Sequence, residues 1–324
     1  MANAAHMTLL KAGIDKWNFQ RIQKPATIPD FSGADLSKQK LDGANLTKSN
    51  LSAANLTGAT LVKTQLEGAN LTKATLESAV LRAADLRNAN LSGSQLRKSV
   101  FEQAILSKAD LTNTNFFTAN LTKADLRGAS MKNALLEGAN LAGSDPRGAD
   151  LNGANLKGAN LSGANLQKAD LRGSSMVSAI IESTNARGAD FSGVDLTGAN
   201  LSKATGETTN FSGCNLTNAN LSGADLRQAN LSGAILSGAD LTGANLDSAS
   251  LTGAILKGAN LSKADLRAAN LSGADLSDAN AEKVNFSGAD ISGANLLTIK
   301  NLVSEQIVRV KKDDATQLPI EFTF

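Results

Sequence analysis

Histidine, cysteine, tryptophan and tyrosine are nearly missing from this 324-residue chain, which has one His, one Cys, one Trp and no Tyr. The single histidine, His6, lies in residues 1–7 (MANAAHM), a stretch that resembles an expression-vector leader. No Ser/His or Cys/His pair is therefore on hand for nucleophilic chemistry, and no cluster of His, Cys and carboxylates has metal-ligand spacing. Cys214, alone, permits no intrachain disulfide, which fits a reducing, cytoplasmic setting. No window approaches a membrane span, and no apolar signal peptide opens the chain. With 32 basic and 30 acidic residues the net charge is +2, so nothing marks the chain as a polyanion binder. These shortages read as a non-enzymatic chain without cofactor or metal, with nucleic acid and membrane disfavoured as partners.

What is present is a register. From Phe31 to Leu296 every fifth residue is a centre, which gives 54 units without insertion or deletion. Forty centres are Leu, six are Phe, four are Met or Ile, and the exceptions are Pro146, Ala186, Gly206 and Ala281. Ala stands two places before the centre in 40 units, and the residue between them is usually Asn or Asp. On an α-helix five residues advance about 500°, so the leucines would cover every face. In a continuous strand an odd period would throw them alternately to both faces. The chain must turn once per unit, with Ala and Leu pointing in, Asn or Asp pointing out, and the next two residues forming a corner. Coils stacked in this way make a solenoid with a Leu/Ala interior.

Tandem A-(D/N)-L-x-x units resemble the pentapeptide-repeat family, and the WN-containing opening (Trp17, Asn18) resembles its cyanobacterial members. The resemblance covers about four-fifths of the chain and implies an all-β fold, a right-handed quadrilateral parallel β-helix of about 13 coils. Spacing supports a twenty-residue coil independently. Of nine arginines in the array, six share one position modulo 20, namely Arg87, Arg127, Arg147, Arg187, Arg227 and Arg267. Regular stacking would give a length of roughly 65 Å. The expected organisation is an N-terminal helical cap over 8–29, the β-helix over 30–297, and a C-terminal cap of a short helix plus a strand over 298–324.

The arginine side also carries Asp85, Asp125, Asp145, Asp225 and Asp265, together with three of the four defective centres, Pro146, Ala186 and Gly206. Two readings stay open for it: a column of solvated ion pairs, or an interaction surface centred on Arg127, Arg147 and Arg187 where the defects suggest a dent or bulge. A second side carries Ser192, Ser212, Ser232, Thr252, Ser272 and Ser292, each followed by Gly. This hydroxyl ladder suggests either ice or surface binding or simply a favoured corner residue.

Both ends break the register. Leu10, Ile14, Trp17 and Arg21 follow helical spacing, with Leu9 and Ile22 widening the apolar face, and Trp17 is read as a lid on the first coil. After Leu296, Ser304 is expected to cap a short helix through Val310, with Ile307 and Val310 inward. Ile320, Phe322 and Phe324 alternate as in a strand. The tail is read as a cap or as a homodimer contact, in a protein otherwise monomeric. The functional expectation is a protein-interaction scaffold or regulator. Some members of the resembled family mimic B-form DNA and engage type II topoisomerases. Those are strongly acidic and loop-interrupted, whereas residues 30–297 hold 24 basic and 25 acidic residues without interruption, so that alternative is disfavoured.

Overall fold

In a computed structural model, residues 2–322 are described, and the chain divides into two compact units, Met1–Asn160 and Leu161–Phe324. Each unit is built from right-handed, four-sided coils of a parallel β-helix. Pairing runs between residues twenty apart, from Asp30 with Asn50 onward in the first unit and from Asn165 with Asn185 to Asn280 with Lys300 in the second.

The pentapeptide works because all five of its N–H groups find acceptors. In the unit Asn55–Ala59, the Leu56 N–H donates to Thr75 O at 2.7 Å and the Gly58 N–H to Glu77 O at 2.9 Å, both one coil on. The Asn55 N–H donates back to Ala34 O at 2.9 Å, and the Ala59 N–H closes the corner on Leu56 O at 3.0 Å. The fifth, from Thr57, goes to the Asn55 side-chain oxygen at 3.1 Å. Asp240–Ala244 repeats the scheme in the second unit, with the Asp240 carboxylate accepting from the Thr242 N–H at 2.9 Å. This explains Asn or Asp before the centre: the side chain faces outward yet folds back to satisfy a donor that the neighbouring coils cannot reach. The corner residue two places after the centre is left-handed, φ +65° at Gly58, which is the reason for glycine there.

Centres and Ala positions are sealed from solvent, and Leu56, Leu106, Leu226 and Leu246 are fully buried. Phenylalanines meet inside each unit, Phe101 with Phe116 at 5.7 Å and Phe191 with Phe211 at 4.9 Å between ring centres. Cys214 points inward as expected from its Ala position. Its thiol donates to Phe191 O, and burial pushes its pKa up to about 12, so it is an unreactive core group.

The ends differ in detail from the sequence reading. The N-terminal segment is two helices, α1 (Ala4–Lys11) and α2 (Ile14–Gln23), broken at Gly13 where φ is +123°. Residues 4–7, expected to be foreign leader, are helical, and His6 Nδ1 accepts the Asp30 N–H at 3.1 Å. Leu10, Trp17 and Arg21 are buried, but Ile22 is 71% exposed. Five residues beyond Trp17 on a helix is about 140° off its face, which turns Ile22 to solvent.

At the other end α3 is only Ser304–Ile307, with Val303 rather than Ser304 at its N-cap position. The Gln306 side chain accepts the Val303 N–H at 2.8 Å and donates to Ala281 O and Val284 O, fastening α3 to the last coils. Ile307 is half-buried. Lys311 and Gln317 pair with Asp290 and Asn295, so the extended pairing comes earlier than expected. Ile320–Phe322 forms a 3-10 turn instead of a strand, with Phe322 half-buried, and Phe324 lies outside the described residues.

Candidate functional site

The arginine column follows from the pentapeptide grammar. In an A-D-L-R unit, Asp and Arg flank one buried Leu, so both leave the same side of the coil two residues apart. In the first unit Arg87, Arg127 and Arg147 bind Asp85, Asp125 and Asp145 at 2.6, 2.7 and 2.6 Å. Each pair is two-pronged, through Nε and NH2, which is the strong planar geometry for arginine and carboxylate. Asp145 also lies 3.9 Å from Arg127 Nε, so a carboxylate separates the two guanidinium groups on successive coils. Arg87 reaches back to Glu67 at 3.4 Å.

In the second unit Arg227 and Arg267 pair with Asp225 and Asp265, each at 2.7 Å. Arg187 departs from this, because Asn185 precedes its centre and cannot supply charge. It reaches Glu207 on the next coil at 2.7 Å instead. Every arginine of the column is thus paired already, while about half of each guanidinium side chain stays open to solvent. Hydrogen bonds from Arg87, Arg127 and Arg227 hold the carboxyls of Asp85, Asp125 and Asp225 below the usual carboxylate range. Folded-state pKa values below the unfolded ones mean that these pairs contribute at neutral pH, and the contribution is lost as pH falls through the lowered values.

The repeat register is kept beside the defective centres. Pairing holds register through Asp125 with Asp145, Asn185 with Thr205, and Thr205 with Asp225. At Gly206 the missing side chain is replaced from its neighbours: an added Cβ would lie 2.9 Å from Leu226 Cδ2 and 3.3 Å from Thr209 Oγ1. Thr209, larger than the usual Ala, is buried and donates to Ala186 O at 2.7 Å. Restoring the repeat by Gly206→Leu should accordingly destabilise by about 1–3 kcal/mol through overpacking. Adding Leu226→Ala should relieve part of that loss, and a denaturant-melt double-mutant cycle that shows simple additivity would refute the filling.

The serine ladder in the second unit is wired to the residues at the neighbouring Asn/Asp positions. The backbone N–H groups of Ser212 and Ser232 donate to the side-chain oxygens of Asn210 and Asn230, and the Ser232 hydroxyl shares a 2.7 Å bond with the Ser250 hydroxyl. The sequence reading missed two surface features. Arg97 lies over the Phe117 ring at 5.1 Å, and Leu135 stays 47% exposed at a position where the repeat uses Asn or Asp. It also missed a cleft beside α2, whose one signal was a charged residue, Arg21, on an otherwise apolar helix stripe. Among the described residues no group of three or more His, Cys, Asp or Glu could hold a metal, and no helix is long and apolar enough to cross a membrane.

Coils with inward Leu and Ala, and an outward lattice of side-chain amides, hydroxyls and paired charges, define a right-handed β-helical solenoid whose distinctive chemistry is on its surface. The pentapeptide-repeat family model matches in successive segments from residue 30 to residue 296, so the chain belongs to the pentapeptide-repeat family. Among solved structures it is similar to HetL, described as a pentapeptide-repeat protein involved in heterocyst differentiation regulation in the cyanobacterium Nostoc sp. strain PCC 7120. The identity is 33% over 79% of this chain and 94% of that one, with a TM-score of 0.25. A pentapeptide-repeat protein of the Arabidopsis thaliana thylakoid lumen is 32% identical over 29% of this chain and 72% of its own, with a TM-score of 0.25. Full-length QnrB1, described as a plasmid-mediated fluoroquinolone resistance protein, is 18% identical over 69% of this chain and 92% of its own, with a TM-score of 0.40. No curated protein matches.

Proposed function

We propose that this chain is a non-catalytic scaffold or regulator that binds a protein partner through the arginine columns of its units. The observation that carries the reading is the column's state: six arginines at one position of the coil, each held in a fixed ion pair with an open guanidinium face. Pre-ordered arginines lose little freedom on binding, and the planar group can pair with a partner's carboxylate or stack on an aromatic ring. Glu67, Asp247 and Glu207 extend the pattern, so the surface offers alternating charge rather than a basic stripe. Such a surface selects a complementary protein and gives little hold to a polyanion. A topoisomerase-protecting DNA mimic would need an acidic excess, whereas residues 30–297 hold 24 basic and 25 acidic residues.

The test is charge reversal on the first unit's column, Arg127→Glu together with Arg147→Glu. Melting should stay near that of the parent, because exposed pairs contribute little to stability. Capture of partners from the source organism should fall, most visibly at low salt, where surface charge is least screened. Arg187→Glu, made separately, asks the same of the second unit. Undiminished capture by these variants, with loss instead from Ser212→Glu and Ser232→Glu, would move the binding surface to the serine ladder.

A further inference from the structure

Charge burial normally comes with a counter-charge, and Arg21 breaks that rule. Its side chain is buried to about nine-tenths, with no salt bridge among the described residues. A guanidinium has five N–H donors. Arg21 NH1 donates to Thr27 O, and NH2 donates to Thr47 O at 3.0 Å, which leaves three donors without an acceptor. Nε is one of them, and it has no partner within the fold. Burial lowers the pKa of Arg21 from its ordinary value, the expected direction for a cation with no anion beside it.

The same side chain lines a cleft of about 220 Å³ between α1, α2 and the segment entering the first coil. Its lining also includes the apolar Leu9, Trp17 and Pro29 and the polar His6, Gln20 and Lys24. No carboxylate lines it. Asp30, whose N–H donates to His6, has its own carboxylate engaged by the Ser32 N–H and the Asn50 amide. A volume of this size corresponds to about seven waters. That is enough for a small acid with an aromatic or branched body, and too little for a nucleotide.

We propose that this cleft is a binding site for a small monocarboxylate with an apolar body, its carboxylate against Arg21 and Lys24 and its body against Trp17, Leu9 and Pro29. The bound anion supplies the counter-charge that the fold leaves out. The site lies on the cap, away from the arginine column, and stands whether or not that column binds a protein.

Trp17 is the only tryptophan and there is no tyrosine, so intrinsic emission reports on this cleft alone. Benzoate, titrated into the full-length protein, should change that emission saturably and raise the melting temperature. Benzamide, its neutral isostere, and inorganic phosphate, which lacks the apolar body, should each bind about tenfold more weakly. Arg21→Gln should weaken benzoate by about tenfold or more. Because Arg21 also holds two carbonyls, Lys24→Gln serves as the variant that leaves the cap's bonds intact, and it should weaken benzoate about threefold. Equal response to benzoate and benzamide, phosphate matching benzoate, no response to benzoate, or parent affinity in Lys24→Gln with a folded Arg21→Gln would each overturn the assignment.

Discussion

Leu246→Asp should lower the stability of the second unit by several kcal/mol at neutral pH, and the loss should shrink as the solution is acidified. Leu246 is fully buried, with Leu226 and Leu266 at the same place on the preceding and following coils. Its backbone N–H donates to Asp265 O at 2.7 Å, which fixes the side chain inward whatever replaces it. A carboxylate there meets Leu and Ala, with no donor to receive it. Burial raises its pKa above the unfolded value, so between the two pKa values the folded state holds a proton that the unfolded state has released. Stability therefore falls as pH rises through that window and is greatest below the unfolded pKa. Leu246→Met, close in volume, should cost less than about 1.5 kcal/mol at any pH. The measurement is a urea melt of both variants at neutral and mildly acidic pH. A Leu246→Asp protein that melts like the parent at neutral pH would mean that the side chain escapes the interior, and the one-residue-in-five core assignment would fail.

The coil could be read from the sequence because its constraint is local and repeated. One large apolar residue per five, preceded by Ala at two, admits a single inward face per turn, and the common position of Arg127 and Arg147 modulo 20 gives the coil length. Asx closure was harder to see. Asn55 looks merely outward by pattern, whereas its oxygen is needed by the Thr57 N–H, a requirement that appears only once the ladder bonds have been assigned. The packing at Gly206 was hidden for a related reason. Pattern registers Gly206 as missing volume, but volume is shared between coils, and Leu226 with Thr209 supplies it. The ends were least legible because no repetition averages out local choices. Gly13 splits the first helix, and the Ile320–Phe322 alternation yields to a 3-10 turn that closes with the Phe322 N–H on Pro319 O. In the column itself, the Asp–Arg pairs could be read from spacing, but the rerouting of Arg187 to Glu207 could not, since it depends on which rotamer reaches the next coil.

Trp17→Ala should cost about 3–5 kcal/mol locally and open the first coil to association. The first coil has no coil before it, so its upstream edge would present carbonyls and an amide with no partner. Three side chains of α2 take the place of that missing coil. The Trp17 indole N–H donates to Asn45 O at 2.9 Å, and Arg21 donates to Thr47 O at 3.0 Å. The Asn18 amide both donates to Gly43 O at 3.0 Å and accepts the Asn45 N–H at 2.7 Å. This accounts for Trp17, Asn18 and Arg21 as a set, since one helical turn brings all three against a single edge. The indole ring also lies 5.4 Å from Phe31, covering the first core layer, and is almost wholly buried. Loss of the ring therefore removes a hydrogen bond, an aromatic contact and the lid together. Trp17→Phe separates these terms, keeping most of the lid while leaving Asn45 O without its donor, at about 1–3 kcal/mol. Hydrogen exchange over residues 31–50 and light scattering on a sizing column read the outcome. Faster exchange confined to the first coil, more so in Trp17→Ala than in Trp17→Phe, with a larger species in Trp17→Ala alone, is the expected order. Parent-like exchange and elution in Trp17→Ala would show that the coil edge is protected without the helix, and the capping role would have to pass to α1, through the Asn3 N–H and His6 on the two sides of Asp30.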